Sequence, residues 1–293
     1  MYFWLVTHLE DSASTKLILK TSTEQGWRCE HIVPRRQSYL LTATEPEELL
    51  SGRPLERPDF CYIRMGSSSF IEGFALLSKL ASLGIPCLNC PEKLIIQRDK
   101  AQSLMLLSKA GVNIPKTLVI GQGYQTDYIR ENLAGPPWVI KLRFGAKGDG
   151  VMLVESESSL NSALDLLLST YAQVLVQEFV SDNAGSDIRV LVVGGKALCA
   201  MKRSSGKKHE FRSNLFLGGK GESVELDEEL ATLAERASAA IGLEIAGVDV
   251  LGSKGSYFVC EVNSSPGLKG ISEAVGRNLA LEVPPLLYAT LSH

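Results

Sequence analysis

Three side chains late in the chain carry the clearest chemical signal. Asp249, Glu261 and Asn263 lie in the stretch Gly247 to Gly270, GVDVLGSKGSYFVCEVNSSPGLKG. It reads as two short strands joined by a Gly-Ser-Lys-Gly turn. Tyr257 to Val262 is aromatic, β-branched or thiol except for its acid, which suits a buried strand. Strand side chains alternate, so Glu261 and Asn263 share a face. A three-residue loop, Ser253 to Gly255, sets Asp249 diagonal to Glu261 on that face, roughly 7–8 Å away. A buried carboxylate is costly unless something pairs with it. Two acids and an amide are hard oxygen ligands, the donor set of Mg²⁺ that keeps some waters and bridges phosphates. A solvated hairpin face with ordinary surface acids is the competing reading.

A second stretch, Trp138 to Val154, reads WVIKLRFGAKGDGVMLV. It is strand, glycine-rich loop, strand. Gly145, Gly148 and Gly150 let backbone N–H groups approach an anion closely. The loop tops a hairpin, so it is neither a Walker A loop nor a Rossmann fingerprint, both of which open a helix. Lys141 on the incoming strand presents a point charge suited to phosphate. A plain turn is the alternative, because glycine is the usual turn residue.

The elements that position these residues follow from periodicity and punctuation. Residues 1 to 97 alternate strand and helix, which predicts a small parallel sheet. Its strands are Phe3 to Thr7, Cys29 to Val33 and Phe60 to Arg64. Ligands bind beyond the strand ends of such sheets, which makes Arg64 a candidate substrate contact beside the reading as a surface arginine. Pro91 to Ala110 reads as one helix with Lys100 inside it, ended by Gly111. Ser156 to Ser169 is an amphipathic helix, and Gln173 to Val180 is a strand carrying Glu178. Asp187 to Met201 is a hairpin turning at Gly194-Gly195. A polar, basic loop follows to Glu222, with Lys207, Lys208, His209 and Arg212; it suits acidic ligands or is simply solvated. Asp227 to Ile241 is a helix capped by Asp227 and stopped by Gly242. The tail from Ile271 to Leu291 reads as helix interrupted at Pro284-Pro285.

Composition narrows the class. The chain has 293 residues, 45% hydrophobic and 22% charged, with net charge -3. That is ordinary globular usage with room for two or three domains, and bulk charge does not favour direct nucleic-acid binding. No apolar run approaches the roughly 20 residues that span a bilayer, so no membrane partner is expected. The N-terminal MYFWLVTHLEDS has no basic region ahead of its apolar run, so it reads as a core strand rather than a signal peptide. Six dispersed cysteines fit a reduced, cytoplasmic protein. Cys87 and Cys90 form a C-x-x-C, for which a redox site is the sharper alternative.

Taken in order, these pieces resemble the ATP-grasp superfamily, and more narrowly the RimK-like α-L-glutamate ligases of the ribosomal protein S6 modification type. The resemblance rests on Arg98-Asp-Lys100, Val139-Ile-Lys141 with the G-x-x-G-x-G loop, and Gln177-Glu-Phe179. It continues through Gly185-Ser-Asp-Ile-Arg189, Phe211-Arg-Ser-Asn214 with Gly218-Gly219, Ala246-Gly-Val-Asp249 and Glu261-Val-Asn-Ser-Ser-Pro-Gly267. It implies an α/β and α+β architecture: a Rossmann-like preATP-grasp domain over 1–97, a central subdomain with a glycine lid over 98–176, and a C-terminal subdomain with the metal site over 177–293. It implies ATP and Mg²⁺, usually two ions, with Mn²⁺ as a possible substitute. By the same resemblance Lys100, Lys141, Lys147 and Lys202 with the loop glycines contact the nucleotide. Glu178 and Phe179 lie by the adenine, and Asp187 by the ribose. Arg203 and Arg212 are the catalytic arginines, and Asn214 lies near the phosphates. Asp249, Glu261 and Asn263 are the metal ligands.

The implied reaction joins a carboxylate to an amine through an acyl phosphate. Glutamate or another amino acid would be added to a carboxylate acceptor such as a protein C-terminus, a peptide or a poly-glutamate chain. Here the loop after Arg203 and the first 50 residues depart from the family pattern, so two other readings stay open. One is a ligase acting on a small molecule or carrier protein, as in lysine biosynthesis or cofactor glutamylation. The other is a non-catalytic nucleotide-binding module. Relatives of this type are commonly oligomeric, which makes a homo-oligomer a further expectation.

Overall fold

The computed structural model describes all residues except 9–10, 40–48, 51–52, 55, 67–69, 146–149, 181, 183–184, 206–219, 254 and 293. In chain order the first elements are β1 (Tyr2–Val6), α1 (Ala13–Glu24), β2 (Arg28–Ile32), β3 (Leu49–Leu50) and β4 (Arg53–Pro54). Next come β5 (Phe60–Ile63), α2 (Phe70–Ser82), β6 (Cys87–Leu88), α3 (Pro91–Arg98) and α4 (Lys100–Lys109). Then follow β7 (Thr117–Ile120), α5 (Thr126–Asn132), β8 (Trp138–Leu142), β9 (Val151–Val154), α6 (Glu157–Ser169) and β10 (Val174–Glu178). The chain closes with β11 (Ser186–Val193), β12 (Lys196–Ser204), β13 (Lys220–Val224), α7 (Glu228–Ile241), β14 (Ile245–Ser253), β15 (Ser256–Asn263), α8 (Leu268–Val275) and α9 (Leu279–Ala289).

The N-terminal sheet is parallel, in the order β2-β1-β5-β6. Its central strands β1 and β5 are buried almost throughout, as strands covered on both faces must be. The other two large sheets are antiparallel: β7-β10-β8-β9 and β13-β12-β11-β14-β15. The first of these closes its own core around Trp138, with Leu160 and Leu164 of α6 laid across it. The five-stranded sheet is apolar on one face, where Val190, Val192, Val248 and Val250 meet Leu230, Ala234 and Ile241 of α7 and Leu104 and Leu107 of α4. Its other face is divided. Leu191, Val193, Met201 and Ile245 pack against α8, α9 and the N-terminal sheet residues Phe3, Leu5 and Phe60. The remainder of that face carries Asp187, Arg189, Arg203 and Asp249, all held in ion pairs.

Four details differ from the sequence reading. The helix expected over Pro91 to Ala110 breaks at Asp99, whose backbone is extended at φ -85° and ψ 101°. The Asp99 carboxylate accepts from the N–H groups of Ala101 and Gln102, so one acid ends α3 and caps α4. The tail is interrupted at Gly276, in the left-handed conformation at φ 65°, while α9 runs through Pro284 and Pro285. Residues 220–222, read as the end of the basic loop, belong to β13 at the sheet edge. The β14–β15 turn is the two residues 254–255, not three, because Ser253 pairs with Ser256.

Candidate active site

The two-residue turn would reverse the pairing phase, and a bulge restores it. Val250 pairs with Val259 but Asp249 pairs with Glu261, so Cys260 is the extra residue. Asp249 therefore stands directly opposite Glu261, closer than the diagonal placement expected, and Gly247 stands opposite Asn263. Asn263 turns its amide back, donating from Nδ2 to Asp249 Oδ2 at 3.0 Å.

Asp249 is 3% exposed and is gripped by two arginines, one from the adjacent strand β11 and one from β12 beyond it. Arg189, its partner in the β11–β14 register, donates from Nε and Nη2 to the two carboxylate oxygens at 2.7 Å each. Arg203 lies 3.0 Å from Asp249 Oδ2 and forks onto Asp187, its own cross-strand partner on β11, with Nε to Oδ1 at 2.6 Å. Bidentate pairs of this kind are strong and geometrically specific. Burial opposes ionisation of Asp249, yet the two guanidiniums outweigh it and hold the carboxyl below its usual range. Burial likewise works against the charge on Arg203, but Asp249 and Asp187 raise its pKa.

On the solvent side of the knot, Glu261 is the more open acid, its side chain 35% exposed, with Lys100 Nζ 3.6 Å from Oε1. The same ammonium donates to the carbonyl of Gly145 at 2.7 Å, tying the first residue of α4 to the start of the glycine-rich loop. Asp99 positions that end of the helix by pairing with Arg143, whose Nε reaches Oδ1 at 2.7 Å. Lys141 on β8 approaches from the other sheet, and its charge acts on Cys260. Burial pushes the Cys260 thiol up to about 12; Lys141 opposes the shift, while Asp249, Asp187 and Glu261 add to it.

The structure thus brings together Lys100, Lys141, Asp187, Arg203, Asp249, Glu261 and Asn263. Glu178, at the end of β10, accepts from the backbone N–H of Ala134 at 2.9 Å and lies 3.7 Å from Lys116 Nζ; Phe179 follows it, half-buried. Lys202 alternates with Arg203 and is exposed. Gly150 has φ 72°, and a Cβ there would stand 2.5 Å from Leu142 Cδ1, so both conformation and space call for glycine. Lys147, Gly148, Lys207, Lys208, His209, Arg212 and Asn214 lie outside the described residues. Arg64 is 7% exposed, donating to Tyr62 Oη at 2.9 Å and to the carbonyl of Pro266 at 2.7 Å. Sequence reasoning missed Arg189 as a site residue. Its signal was the two-residue spacing from Asp187, which puts both on one strand face. The six cysteines are free thiols. Burial raises the pKa of Cys90, the opposite of the shift that activates a redox C-x-x-C.

Of the three expected ligands, Glu261 presents open oxygens and Asn263 shares its face, which suits magnesium. Both oxygens of Asp249 are taken by Arg189, Arg203 and Asn263, so Asp249 would reach an ion only if those bonds gave way. Among the described residues no group of three or more His, Cys, Asp or Glu is arranged to hold a metal by itself, so such an ion would also need the asparagine, waters or phosphate oxygens. No helix among the described residues is long and apolar enough to cross a membrane.

Residues 1–94 match the RimK PreATP-grasp domain and residues 97–286 the RimK-like ATP-grasp domain. A protein of Halorhodospira halophila named probable alpha-L-glutamate ligase is 38% identical over 267 residues, covering 91% of this chain and 88% of the relative. One of the same name from Vibrio parahaemolyticus is 36% identical over 280 residues, covering 94% and 91%. Among solved structures, the ATP-grasp ligase PsnB complexed with its minimal precursor superposes with a TM-score of 0.78 at 18% identity, covering 99% of each chain. Another PsnB structure, complexed with minimal precursor, Mg and ADP, has a TM-score of 0.75 at 19% identity, covering 98% of this chain and 96% of that one. Matched along nearly all its length, the chain belongs to the RimK-like ATP-grasp family and is a ligase with a preATP-grasp domain ahead of an ATP-grasp domain.

Proposed function

We propose that the chain is an ATP- and Mg²⁺-dependent carboxylate–amine ligase that adds glutamate to a carboxylate acceptor, a peptide or protein C-terminus. The observation that carries this reading is the charged knot. Four cations, Lys100, Lys141, Arg189 and Arg203, surround three carboxylates, Asp187, Asp249 and Glu261, at the open end of a hairpin. Among the described residues these groups sum to one net positive charge, which favours an anion beside them. The glutamate ligase names of the relatives support the amino acid, and a PsnB structure complexed with a precursor peptide supports a peptidic acceptor.

The acceptor carboxylate attacks the γ-phosphoryl of ATP, and ADP leaves. The amine nitrogen then attacks the acyl carbon, phosphate leaves with the carbonyl-bound oxygen, and a proton is lost as the amide forms. Phosphoryl transfer of this kind needs alignment and charge neutralisation more than a protein nucleophile. Lys100, on a capped helix end, and Lys141, on a strand, are rigidly mounted to meet phosphate oxygens. Arg203 is held by Asp187 and Asp249 beside the same place, ready to stabilise charge on the acyl phosphate. Glu261 and the Asn263 oxygen, joined by Asp249 where its arginine pairs exchange, would hold magnesium; when bound, it neutralises phosphate charge and orients the transferred group. Asp187 serves a dual part here, as the proposed ribose contact and as the partner that orients Arg203.

A coupled ADP-release assay tests the reading, with glutamate as amine donor and a peptide ending in glutamate as acceptor. Turnover is expected only with both present, and Glu261→Gln should keep the fold while losing Mg²⁺-dependent turnover. No ADP release with any amino acid or acceptor, despite tight ATP binding, would overturn it. Release with a free amino acid in place of the peptide would instead favour a small-molecule acceptor.

A further inference from the structure

Two side-chain amides from outside the hairpin grip the main chain on both sides of Asn263. Asn89 lies in the loop between β6 and α3, fully buried and in the left-handed conformation at φ 61°. Its Oδ1 accepts from the N–H groups of Glu244 at 2.9 Å and Ile245 at 3.1 Å. Its Nδ2 donates to the carbonyls of Ile245 and Ser264, each at 2.8 Å. Its backbone N–H donates to Glu244 Oε2 at 2.7 Å, while Lys93 Nζ holds Oε1 of the same carboxylate at 2.6 Å. Gln97, on the last turn of α3, donates from Nε2 to the carbonyl of Val262 at 2.9 Å, and its Oε1 accepts from Ser264 Oγ at 2.9 Å.

The β14–β15 ladder ends at the Gly247–Asn263 rung. Two residues beyond it, the N–H and C=O of Ile245 both bond the Asn89 amide, which replaces the next residue of β15 as a partner. The hairpin that bears Asp249, Glu261 and Asn263 is therefore closed at its open end by a side chain from the preceding domain. The following loop is sewn to the same region: Ser265 Oγ donates to the carbonyl of Met65 at 3.2 Å, and Arg64 to that of Pro266. A non-glycine residue in the left-handed region is tolerated where its surroundings over-determine it, a pattern concentrated at functional sites. Neither amide touches the charged knot in the described contacts. Both instead fix residues 262 and 264, the neighbours of Asn263.

We infer that Asn89 and Gln97 are positioning residues for the ligase reaction, setting where Asn263 and Glu261 meet the reacting phosphates; this rests on the hairpin being the phosphate and metal site. Misplacing a positioned group by an ångström can cost about 100-fold in rate without weakening binding. The test compares wild type with Gln97→Met, which keeps the side-chain shape and removes both bonds, and with Asn89→Gly, which keeps the left-handed backbone and removes the amide. Hydrogen–deuterium exchange on the free protein should rise in peptides covering residues 259–268 and stay unchanged in the β7-β10-β8-β9 sheet. In steady-state kinetics, kcat per folded molecule should fall about 10- to 100-fold while KM for ATP stays within about twofold. Unchanged exchange in that segment, or unchanged kcat in folded Gln97→Met, overturns the inference. An inactive wild type would sink the proposed function instead, and the exchange measurement would still decide the clamp. If Asn89→Gly does not fold, Gln97→Met decides alone.

Discussion

Replacing Asp249 by asparagine separates the structural from the catalytic use of the charged knot. The side chain keeps its size but loses the charge that holds Arg189 and Arg203. Asparagine offers one acceptor oxygen where Asp249 now accepts two bonds from Arg189, one from Arg203 and one from Asn263. The new amide nitrogen would face donors. Arg203 is 6% exposed and, among the described residues, would keep Asp187 alone as its ion-pair partner. Breaking a buried pair on one side typically costs about 3–5 kcal/mol, because the partner charge stays buried. At about 2–4 °C per kcal/mol for a chain of this order of size, the melting temperature should fall by roughly 6–20 °C. The pH dependence carries a sign. Asp249 has its folded pKa held below the ordinary 3.8, so its stabilisation is complete above that value and lost as pH falls through the depressed one. The gap between wild type and variant should therefore be full at pH 7 and narrow as pH drops below about 3.8. Thermal melts of the ligand-free proteins across that range make the measurement. A melting temperature at pH 7 within about 1 °C of wild type, or a gap that does not narrow in acid, would refute the claim that these ion pairs stabilise the fold.

Three further outcomes follow from the same geometry. Gly247→Ala places a Cβ 2.8 Å from Cβ of Pro266 and 3.4 Å from Arg189 Nε, so it should destabilise by about 1–3 kcal/mol in urea titration and slow turnover; an unchanged midpoint would count against the tight fit. Asp99→Ala removes the cap of α4 and leaves Arg143 without its buried carboxylate, and it should weaken ATP binding through Lys100, seen as a raised dissociation constant by calorimetry. With its thiol pKa raised to about 12, Cys260 should remain unalkylated by iodoacetamide at pH 8 in the folded protein and become labelled after denaturation, as peptide mass mapping would show.

Much of this architecture was legible from local pattern. Buried strands such as Phe60–Ile63 announce themselves as continuous apolar runs, and Asp227 with Gly242 brackets α7 by capping chemistry. What escaped was set by partners distant in the chain. The break at Asp99 interrupts a stretch whose periodicity is helical on both sides, and it is fixed by Arg143, 44 residues away. The bulge at Cys260 follows from a turn one residue shorter than the glycine spacing suggested. That slip turned a diagonal pair of acids into an opposed one. Arg189 and Asp249 are 60 residues apart, and only the β11–β14 register makes them partners. Pro284 and Pro285 misled in the opposite direction, since apolar packing of Val283 and Leu287 keeps α9 helical across them.

The packing of α9 has a consequence for how the molecule is made. Leu279, Ala280, Val283 and Leu287 share one apolar cluster with Phe3, Leu5, Ile18 and Phe60. On the ribosome, β1 and α1 emerge well before α9, yet part of their apolar cover lies more than 250 positions later. The four-stranded parallel sheet therefore has to wait, exposed on that face, until α9 is released. Contacts so far apart in sequence slow folding and leave sticky surface open meanwhile. Nascent chains stalled before residue 279 should engage chaperones that chains with α9 released have already shed.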